Sequence, residues 1–354
     1  MFTRRNLIRL ALLIVFALLA LGLVPASWQP WSVLLPGLSP LLGLGGAVAA
    51  RAVGILTPFA LPLLLLPLFK GRFFCWRLCP MGFAAETVSR LNTRNAGLVR
   101  KVPFIGKGLA LVILASSAAG YPVLIWTDPL CIFNGFFAAW RQPLTWASGV
   151  TAIGFVLILL MSLVAPNVWC HRLCPLGGLE ELLTQLANRF RPAKAAAQPP
   201  ACFAANVKVG RRVFLGFAAG GAAGLAYGKI KTAAAKVAAF IRPPGAADKA
   251  FNALCARCGN CMKACPYDLI VPDLGSSGLD GLFTPVLKFR SQNSAQEQFC
   301  FQDCTACTQV CPTGALRSLK PAEKQQVAIG LARIDKKACI AWEKGEFCVV
   351  CQEF

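Results

Sequence analysis

Eight cysteines in the C-terminal third of the chain have the spacing of iron-sulfur ligands. They form two runs, the first with the pattern Cys-x-x-Cys-x-x-Cys-x-x-x-Cys-Pro and the second with one extra residue in its first gap. The ligand candidates are Cys255, Cys258, Cys261, Cys265, Cys300, Cys304, Cys307 and Cys311. In such runs three closely spaced thiolates bind one cluster and the fourth usually ligates a neighbouring cluster. The pattern therefore predicts two 4Fe-4S clusters.

Exchange of the fourth ligand between the two runs predicts two mixed sets. The first set joins Cys255, Cys258 and Cys261 with Cys311. The second joins Cys300, Cys304 and Cys307 with Cys265. If a further cluster exists, the fourth cysteine of a run can instead ligate the cluster of another cysteine set. Structural zinc is the alternative, but zinc sites favour paired Cys-x-x-Cys knuckles, so iron is preferred.

A third, shorter set of cysteines lies near the C-terminus. It comprises Cys339, Cys348 and Cys351, and the sequence given stops at Phe354, one residue before the fourth cysteine of the spacing would stand. We expect either a sequence truncated from a longer polyferredoxin or an incomplete third site. Three thiolates could hold a 3Fe-4S centre or no cluster.

A repeated motif in the N-terminal half carries four more cysteines. Cys-x-Arg-Leu-Cys-Pro-x-Gly occurs at Cys75 and Cys79, and again 95 residues later at Cys170 and Cys174. One such pair cannot complete a four-thiolate site, but the four cysteines together could hold another cluster if the repeat brings them into contact. The alternative is a set of redox-active or inert thiols.

Other reactive groups are sparse. His171 is the only histidine in the chain, which excludes bis-histidine haem, and the absence of Cys-x-x-Cys-His excludes covalent haem attachment. His171 and Asp128 are the candidate proton acceptors for a catalytic role, although a structural histidine and a turn-forming aspartate are the competing interpretations. Cys131 and Cys202 have no partner at ligand spacing and are interpreted as non-functional.

The N-terminal half has the composition of a membrane domain. The chain has 354 residues, of which 56% are hydrophobic, and its mean hydropathy is +0.59. Apolar stretches of about 20 residues, the length needed to cross a bilayer, predict five transmembrane helices. They lie near 8–25, 50–69, 104–125, 148–168 and 213–230.

Charge indicates the orientation of these predicted spans. Residues 1–242 carry a net charge of +20 and residues 243–354 a net charge of +1, so the basic excess flanks the apolar stretches and does not indicate nucleic-acid binding. The positive-inside rule places the N-terminus in the cytoplasm and everything after the fifth span outside it. The first span could also be a cleaved signal peptide. Arg211 and Arg212 resemble a twin-arginine export signal, or they are the basic flank of the fifth span.

The predicted fold class is an α-helical polytopic membrane domain of about five transmembrane helices, followed by a small α+β bacterial-type polyferredoxin domain. Residues 1–190 form the four-helix membrane domain, and residues 191–245 form a linker and the fifth segment. Residues 246–354 form the ferredoxin-type domain. The expected location is a bacterial inner membrane, multi-pass, with the ferredoxin domain in the periplasm.

Both halves resemble known families. Residues 1–190, with two Cys-x-x-x-Cys-Pro motifs, resemble the membrane subunit of the quinol dehydrogenase that serves periplasmic nitrate reductase. Residues 210–354, with Cys311-Pro312-Thr313-Gly314-Ala315, are similar to the periplasmic polyferredoxin partner of that subunit and to methylamine-utilisation ferredoxins. The chain thus resembles a fusion of the two subunits.

The resemblance implies a function in electron transfer. A quinol dehydrogenase component would take electrons from membrane quinol and pass them through its clusters to a periplasmic reductase or cytochrome. The alternatives are an electron-donating assembly or maturation factor without turnover of its own, and a non-redox scaffold with zinc sites. Neither haem nor nucleic acid is expected to bind, and membrane lipid is an expected contact.

Overall fold

The computed structural model describes most of the chain in separate stretches. The described residues are 4–21, 23, 33–54, 56–92, 99, 102–141, 146–190, 209–233, 241–246, 250–276, 278–289, 299–330, 334–337 and 339–348. The predicted linker at 191–208, Cys202 and Cys351 lie outside these residues. The side chains of Arg211 and Arg212 also lie outside the described part of the chain, so the twin-arginine export signal stays a prediction.

The N-terminal half is built of helices. In chain order they are α1 (Arg4–Leu21), α2 (Leu34–Gly37), α3 (Pro40–Ala50), α4 (Thr57–Lys70), α5 (Phe73–Arg77), α6 (Pro80–Ser89), α7 (Ile105–Ala118), α8 (Pro129–Arg141), α9 (Trp146–Val164), α10 (Pro175–Phe190) and α11 (Val209–Ala233). Helix α7 packs against both α10 and α11, and α8 packs against α9. Their shared core includes Leu41, Met81, Ile113, Phe133 and Leu176.

The prediction of a polytopic membrane domain is wrong. Across the described stretches, the structure contains no helix that combines the length and the apolar character needed to span a bilayer. The predicted second and third spans become helices of 14 residues each, about 21 Å at 1.5 Å per residue, against a hydrocarbon core of about 30 Å. Helix α1 has 18 residues, but three of them are arginines, Arg4, Arg5 and Arg9, so it lacks the apolar character of a span.

The same finding contradicts the predicted location. A multi-pass inner-membrane protein with a cytoplasmic N-terminus and a periplasmic ferredoxin domain requires helices that cross the membrane, and the described residues provide none. Part of the apolar sequence in the N-terminal half is buried in the helical core, whereas other apolar side chains of the same helices are exposed. Composition alone could not separate these two uses of apolar sequence.

The C-terminal part is small and contains both strands and short helices. It contains α12 (Phe251–Leu254), α13 (Asn260–Ala264), α14 (Ala306–Gln309), α15 (Pro321–Lys324), α16 (Ile340–Glu343) and the strands β1 (Ile270–Pro272) and β2 (Pro285–Leu287). The strands are antiparallel, with Ile270 opposite Leu287. A core of Phe251, Leu254, Leu269 and Leu316 lies beneath them.

The two parts of the chain are in contact. Ala256 and Cys258, from the first cysteine run, are buried in the same core as the N-terminal helices. A polar contact supports this packing: Asn134 of α8 donates a hydrogen bond to the backbone carbonyl of Cys258 at 2.5 Å. The first cysteine run is therefore held between the helical part and the strand-containing part.

Candidate metal centres

Cysteines from both C-terminal runs line two neighbouring cavities. The first cavity is bordered by Cys255, Cys258, Cys261 and Cys311. The second is bordered by Cys265, Cys300, Cys304 and Cys307. Each cavity takes three cysteines from one run and one from the other, which is the grouping that the spacing predicts. The rest of each wall is mainly apolar.

Local backbone geometry brings the cysteines of each run together. Cys255 follows α12 and Cys265 follows α13, and both have extended backbone at the helix end. Between them Gly259 has a φ of +76°, which favours glycine. A Cβ atom at this position would come within 2.7 Å of Ala138, so glycine also allows α8 to approach the run.

Backbone and side-chain donors surround the sulfur atoms of the two cavities. The amide of Leu316 donates to Cys311 Sγ at 3.4 Å. The ammonium of Lys324, a residue that is only 3% exposed, donates to Cys300 Sγ at 3.3 Å. Hydrogen bonds and positive charge at the sulfurs stabilise thiolates and tune the potential of clusters that bind there.

Burial raises the pKa of Cys255 and of Cys307 to about 12 in each case. A protonated thiol does not bind metal, so ligation requires a cation that offsets the cost of burying the thiolate. Iron would supply that charge. The side chains of both cavities thus fit a 4Fe-4S cluster, which takes one thiolate at each of four irons.

The two copies of the N-terminal motif meet in the helical part. Cys79 stands immediately before α6 and Cys174 immediately before α10, and each motif proline is the first residue of its helix. The amide of Gly82 donates to Cys79 Sγ, and that of Gly177 donates to Cys174 Sγ, each at 3.4 Å. Thiolates at helix N-termini are stabilised by such amides and by the helix dipole.

Electrostatic interactions link the four thiols across the two copies. Cys79 interacts with Cys170 and Cys174, and Cys75 interacts with Cys79 and Cys174. Burial raises the pKa of Cys170 to about 11 and that of Cys174 to about 12. The thiols of Cys75, Cys79, Cys170 and Cys174 therefore lie near enough for their charges to interact, and their role as ligands of one shared site stays a prediction.

Charged side chains enclose this group. Arg72 donates from Nη2 to the carbonyl of Cys170 at 3.0 Å, and its charge interacts with Cys75 and Cys174. Glu180 is fully buried and accepts from the amide of Cys75 at 3.4 Å. Burial raises the pKa of Glu180 to about 7, because a carboxylate in this environment loses its hydration.

A site for a single metal ion would need several ligand side chains to converge on one point. Within the stretches that the structure describes, no three His, Cys, Asp or Glu side chains converge as the ligands of one metal ion do. A 4Fe-4S cluster has no need of such convergence, because its four thiolates are distributed over four irons.

Comparisons with known proteins match both parts of the chain. A family model described as a 4Fe-4S binding domain matches residues 52–101 and 148–194, one copy for each N-terminal motif. A second, described as a 4Fe-4S dicluster domain, matches residues 254–315. The chain is an iron-sulfur protein of the ferredoxin type.

Three relatives illustrate the similarity of this ferredoxin-type protein. It is 36% identical over 127 residues to the methylamine utilization ferredoxin-type protein MauM of Methylorubrum extorquens, covering 34% of this chain and 53% of the relative. It is 34% identical over 149 residues to ferredoxin-type protein NapG of Escherichia coli, covering 40% and 61%. Similarity to ferredoxin-type protein NapH of Haemophilus influenzae is 28% over 113 residues, covering 30% and 36%.

The matched region covers only part of each relative's length. The ferredoxin-type protein spans between about half and three fifths of MauM and NapG. No solved structure matches it. The resemblance expected from the sequence is confirmed, because MauM, NapG and NapH all match.

The remaining sequence candidates have different surroundings. Burial lowers the pKa of His171 to about 4, with Arg72 and Arg172 adding to the effect, so this histidine is neutral at pH 7. Asp128 is fully buried and accepts hydrogen bonds from Ser39 and from the amide of Leu130. Burial raises its pKa to about 6.

The C-terminal cysteine set is only partly described. Cys339 is partly buried and Cys348 is exposed, while Cys351 lies outside the described residues. Their ligand role stays a prediction.

Sequence reasoning missed several residues around the sites. Cys131, interpreted from the sequence as non-functional, hydrogen-bonds to Cys258, and this bond lowers the pKa of Cys258. Lys324 and Arg72 were also missed. Cys131 and Lys324 reach Cys258 and Cys300 through tertiary packing, and Arg72, although it precedes Cys75 by three residues, contacts the second motif copy at Cys170 in the same way.

Proposed function

We propose that this protein carries electrons through three 4Fe-4S clusters, accepting them from a quinol and passing them to a redox partner protein. Two clusters bind in the cavities of the C-terminal runs, and the third binds at the group of N-terminal cysteines. The observation that carries the proposal is the division of eight cysteines into two cavities, each with four thiols drawn from both runs.

The residues of this chain have defined roles in the proposal. The cysteines hold the irons within walls that are mainly apolar. Lys324 and the amide of Leu316 donate to ligand sulfurs, and so they favour the more negative, reduced state. The bound clusters supply one-electron redox chemistry, for which the protein provides ligation and electrostatics.

The third cluster is supported by symmetry of the local structure. Both motif copies place a cysteine before a helix and an amide donor on its sulfur. One 4Fe-4S binding domain matches each copy. The charge of Arg72 near these sulfurs offsets part of the negative charge of four thiolates.

The donor is proposed from the resemblance of residues 1–190 to the membrane subunit of a quinol dehydrogenase. A quinol releases two electrons, and two cluster sites in the C-terminal part provide two one-electron acceptors. The receiving partner is proposed to be a reductase or a cytochrome.

Ligand exchange between runs gives a direct test. In protein purified anaerobically, Cys311→Ser and Cys255→Ser should weaken the same EPR signal, whereas Cys300→Ser and Cys265→Ser should weaken the other. Iron and acid-labile sulfide should fall by about one cluster in each variant. Pairing of Cys311 with Cys300, or wild-type protein without iron and sulfide, would exclude the proposed ligand sets.

Quinol oxidation is tested separately on the loaded protein. Addition of duroquinol under anaerobic conditions should bleach the visible absorbance of the clusters, and steady turnover should follow when an electron acceptor is added. Reduction without turnover would favour the alternative of an electron-donating assembly factor. Clusters that stay oxidised would contradict the quinol donor.

A further inference from the structure

A third cavity, of about 250 Å³, lies next to the first cluster cavity. Its wall includes Trp126, Tyr227, Asn252, Arg257, Asp280 and Phe283. It is formed by the segment before α8, by α11 and by the C-terminal part, so it exists only where the parts of the chain meet. Its volume suits one substituted ring, since sites for drug-sized ligands occupy roughly 300–1,000 Å³.

The wall combines aromatic faces with a hydrogen-bonded carboxylate. The hydroxyl of Tyr227 donates to Asp280 Oδ2 at 3.0 Å, and the amide of Asn252 donates to the same oxygen at 2.9 Å. Trp126 and Phe283 provide aromatic surface. Such a wall can stack a flat ring and accept a proton from a hydroxyl group on it.

A cation also stands at this cavity. The Arg257 guanidinium lies over the ring of Trp126 at 5.0 Å and donates from Nη2 to the backbone carbonyl of Asp280 at 2.9 Å. Its Nε is buried and has no hydrogen-bond partner among the described residues. Because Arg257 lines the cavity, its guanidinium can donate to a ligand oxygen placed there.

Backbone strain is concentrated in the same wall. Leu124, Arg257 and Phe283 have φ values of +65°, +55° and +63°, a region that residues other than glycine rarely adopt. The structure describes six such residues, and three of them line this cavity. Strained backbone of this kind clusters at ligand sites, where the surrounding structure must hold it in place.

Two residues connect this cavity to the first cluster cavity. Arg257 and Phe283 line both of them. Arg257 also lies between the ligand candidates Cys255 and Cys258 in the sequence. The third cavity therefore shares part of its wall with the cavity that Cys255, Cys258, Cys261 and Cys311 border.

We propose that this third cavity is the binding site for the quinol ring, an inference that rests on the proposed function. Trp126 and Phe283 stack the ring, and Arg257 binds a ring oxygen. Oxidation to the quinone releases two electrons and two protons. In the cluster-loaded protein, the two 4Fe-4S clusters held by the C-terminal cysteines would each accept one electron; Asp280 would accept one proton and solvent the other.

Binding of duroquinone to the full-length, cluster-loaded protein tests the site. This quinone carries a methyl group at every free ring position, so it has no position for thiol addition, and isothermal titration calorimetry reports binding without turnover. Val123→Trp, which fills the cavity from its wall, should weaken binding at least tenfold. Leu274→Trp is the matched control: it adds the same side chain at an exposed position outside the wall, and binding should stay within twofold.

Two further variants test the cavity from a second wall and the proton-accepting role of Asp280. If Val123→Trp loses iron, Leu282→Trp fills the cavity from another wall and should give the same loss of binding. Asp280→Asn should bind duroquinone within about threefold of wild type but slow cluster reduction by duroquinol at least tenfold. Tight binding in both tryptophan variants, or no binding to wild type, would overturn the site.

The two proposals can fail independently. Binding that follows the predicted pattern, with clusters that duroquinol does not reduce, would reject the proposed function and retain the cavity as a ring-binding site. Reduction at the wild-type rate in Val123→Trp would retain quinol oxidation and reject this location.

Discussion

At the residue scale, Lys324 shows how one buried charge can serve a cluster site. Its ammonium donates to Cys300 Sγ, to the carbonyl of Cys304 at 2.6 Å and to the carbonyl of Phe301. A lysine that is 3% exposed must be satisfied by such partners. Its positive charge is therefore fixed beside the second cavity.

Replacing Lys324 with methionine should make the cluster of the second cavity harder to reduce. The variant keeps the length of the side chain but removes the charge and the hydrogen bond to sulfur, both of which favour the reduced state. We expect a negative shift on the order of 60 mV, equivalent to a tenfold change in the equilibrium constant for one electron. EPR-monitored redox titration measures it.

The exposed Lys344 provides the control for this variant. Lys344→Met removes the same charge from the protein surface and should leave both potentials within experimental error. Equal shifts in the two variants would show that net charge, and not the contact with Cys300, sets the potential.

Asp128 predicts a pH dependence of stability. Burial raises its folded pKa from 3.8 to about 6, so the folded state binds this proton more tightly than the unfolded state does. Its contribution to stability is then fully present below the unfolded pKa and is lost as pH rises through about 6. Between pH 5 and 7 this carboxyl should lower the free energy of unfolding by about 1 kcal/mol.

Denaturant unfolding of wild type and Asp128→Asn at several pH values measures this effect. The asparagine keeps an oxygen that can accept from the amide of Leu130 but does not titrate. The difference in unfolding free energy between the two proteins should change by about 1 kcal/mol over this range. A difference independent of pH would mean that Asp128 has an ordinary pKa in the folded protein.

The grouping of cysteines could be predicted from the sequence, but their surroundings could not. Spacing assigned Cys311 to the first set and Cys265 to the second, because runs of this kind exchange their fourth ligand. Nothing near Cys131 or Lys324 in the sequence indicates a sulfur neighbour. Those contacts depend on how α8 and α15 pack, which spacing does not determine.

At the element scale, the N-termini of α6 and α10 determine the geometry of the N-terminal cysteine group. Close backbone approach permits this arrangement. A Cβ atom on Gly178 would stand 2.3 Å from the carbonyl oxygen of Gly106, and one on Gly106 would stand 2.5 Å from that of Cys174. Glycine at both positions lets α7 lie directly against the start of α10.

Gly178→Ala should therefore disrupt the N-terminal group. The added methyl group forces α7 and α10 apart, which should cost about 1–3 kcal/mol of stability and remove about one cluster's iron from the purified protein. Gly108→Ala in α7 is the control, because no atom lies within 4 Å of its Cβ position. It should be neutral or stabilising by up to about 1 kcal/mol. Iron analysis and thermal unfolding distinguish the two outcomes.

The prediction of transmembrane spans was wrong about the lengths of helices. The apolar stretches were recognised correctly as helical, but their ends were not. The third span was expected to extend to residue 125, whereas α7 ends at Ala118 and is followed by Gly120, which has a φ of +86°. Hydropathy shows where apolar residues are dense, but it does not show where a helix stops.

At the scale of the whole molecule, a buried polar network joins the helical part to the first cysteine run. Asn134 donates to Asn260 Oδ1 at 2.9 Å and accepts from Lys263 Nζ at 2.8 Å. Asn260 donates in turn to the carbonyl of Val33 at 2.7 Å. Buried networks of this kind are stable only when their members are satisfied together.

Asn134→Ala should weaken the contact between the two parts. Loss of a buried donor and acceptor should cost about 1–3 kcal/mol, and the single thermal transition expected for packed parts should broaden or split. Asn92→Ala is the control, since Asn92 makes an exposed hydrogen bond to the carbonyl of Leu163. Differential scanning calorimetry makes the comparison, and equal destabilisation by both variants would contradict a joining role for Asn134.

The division of each cavity between both cysteine runs has a consequence for biogenesis. During synthesis, the ribosome must release residue 311 before the first set is complete, although three of its thiols emerge about fifty residues earlier. Metallation of this region should then be a late event: a nascent chain arrested before Cys311 would lack one cysteine of the first cavity, and one arrested before Cys300 would offer the second cavity only Cys265.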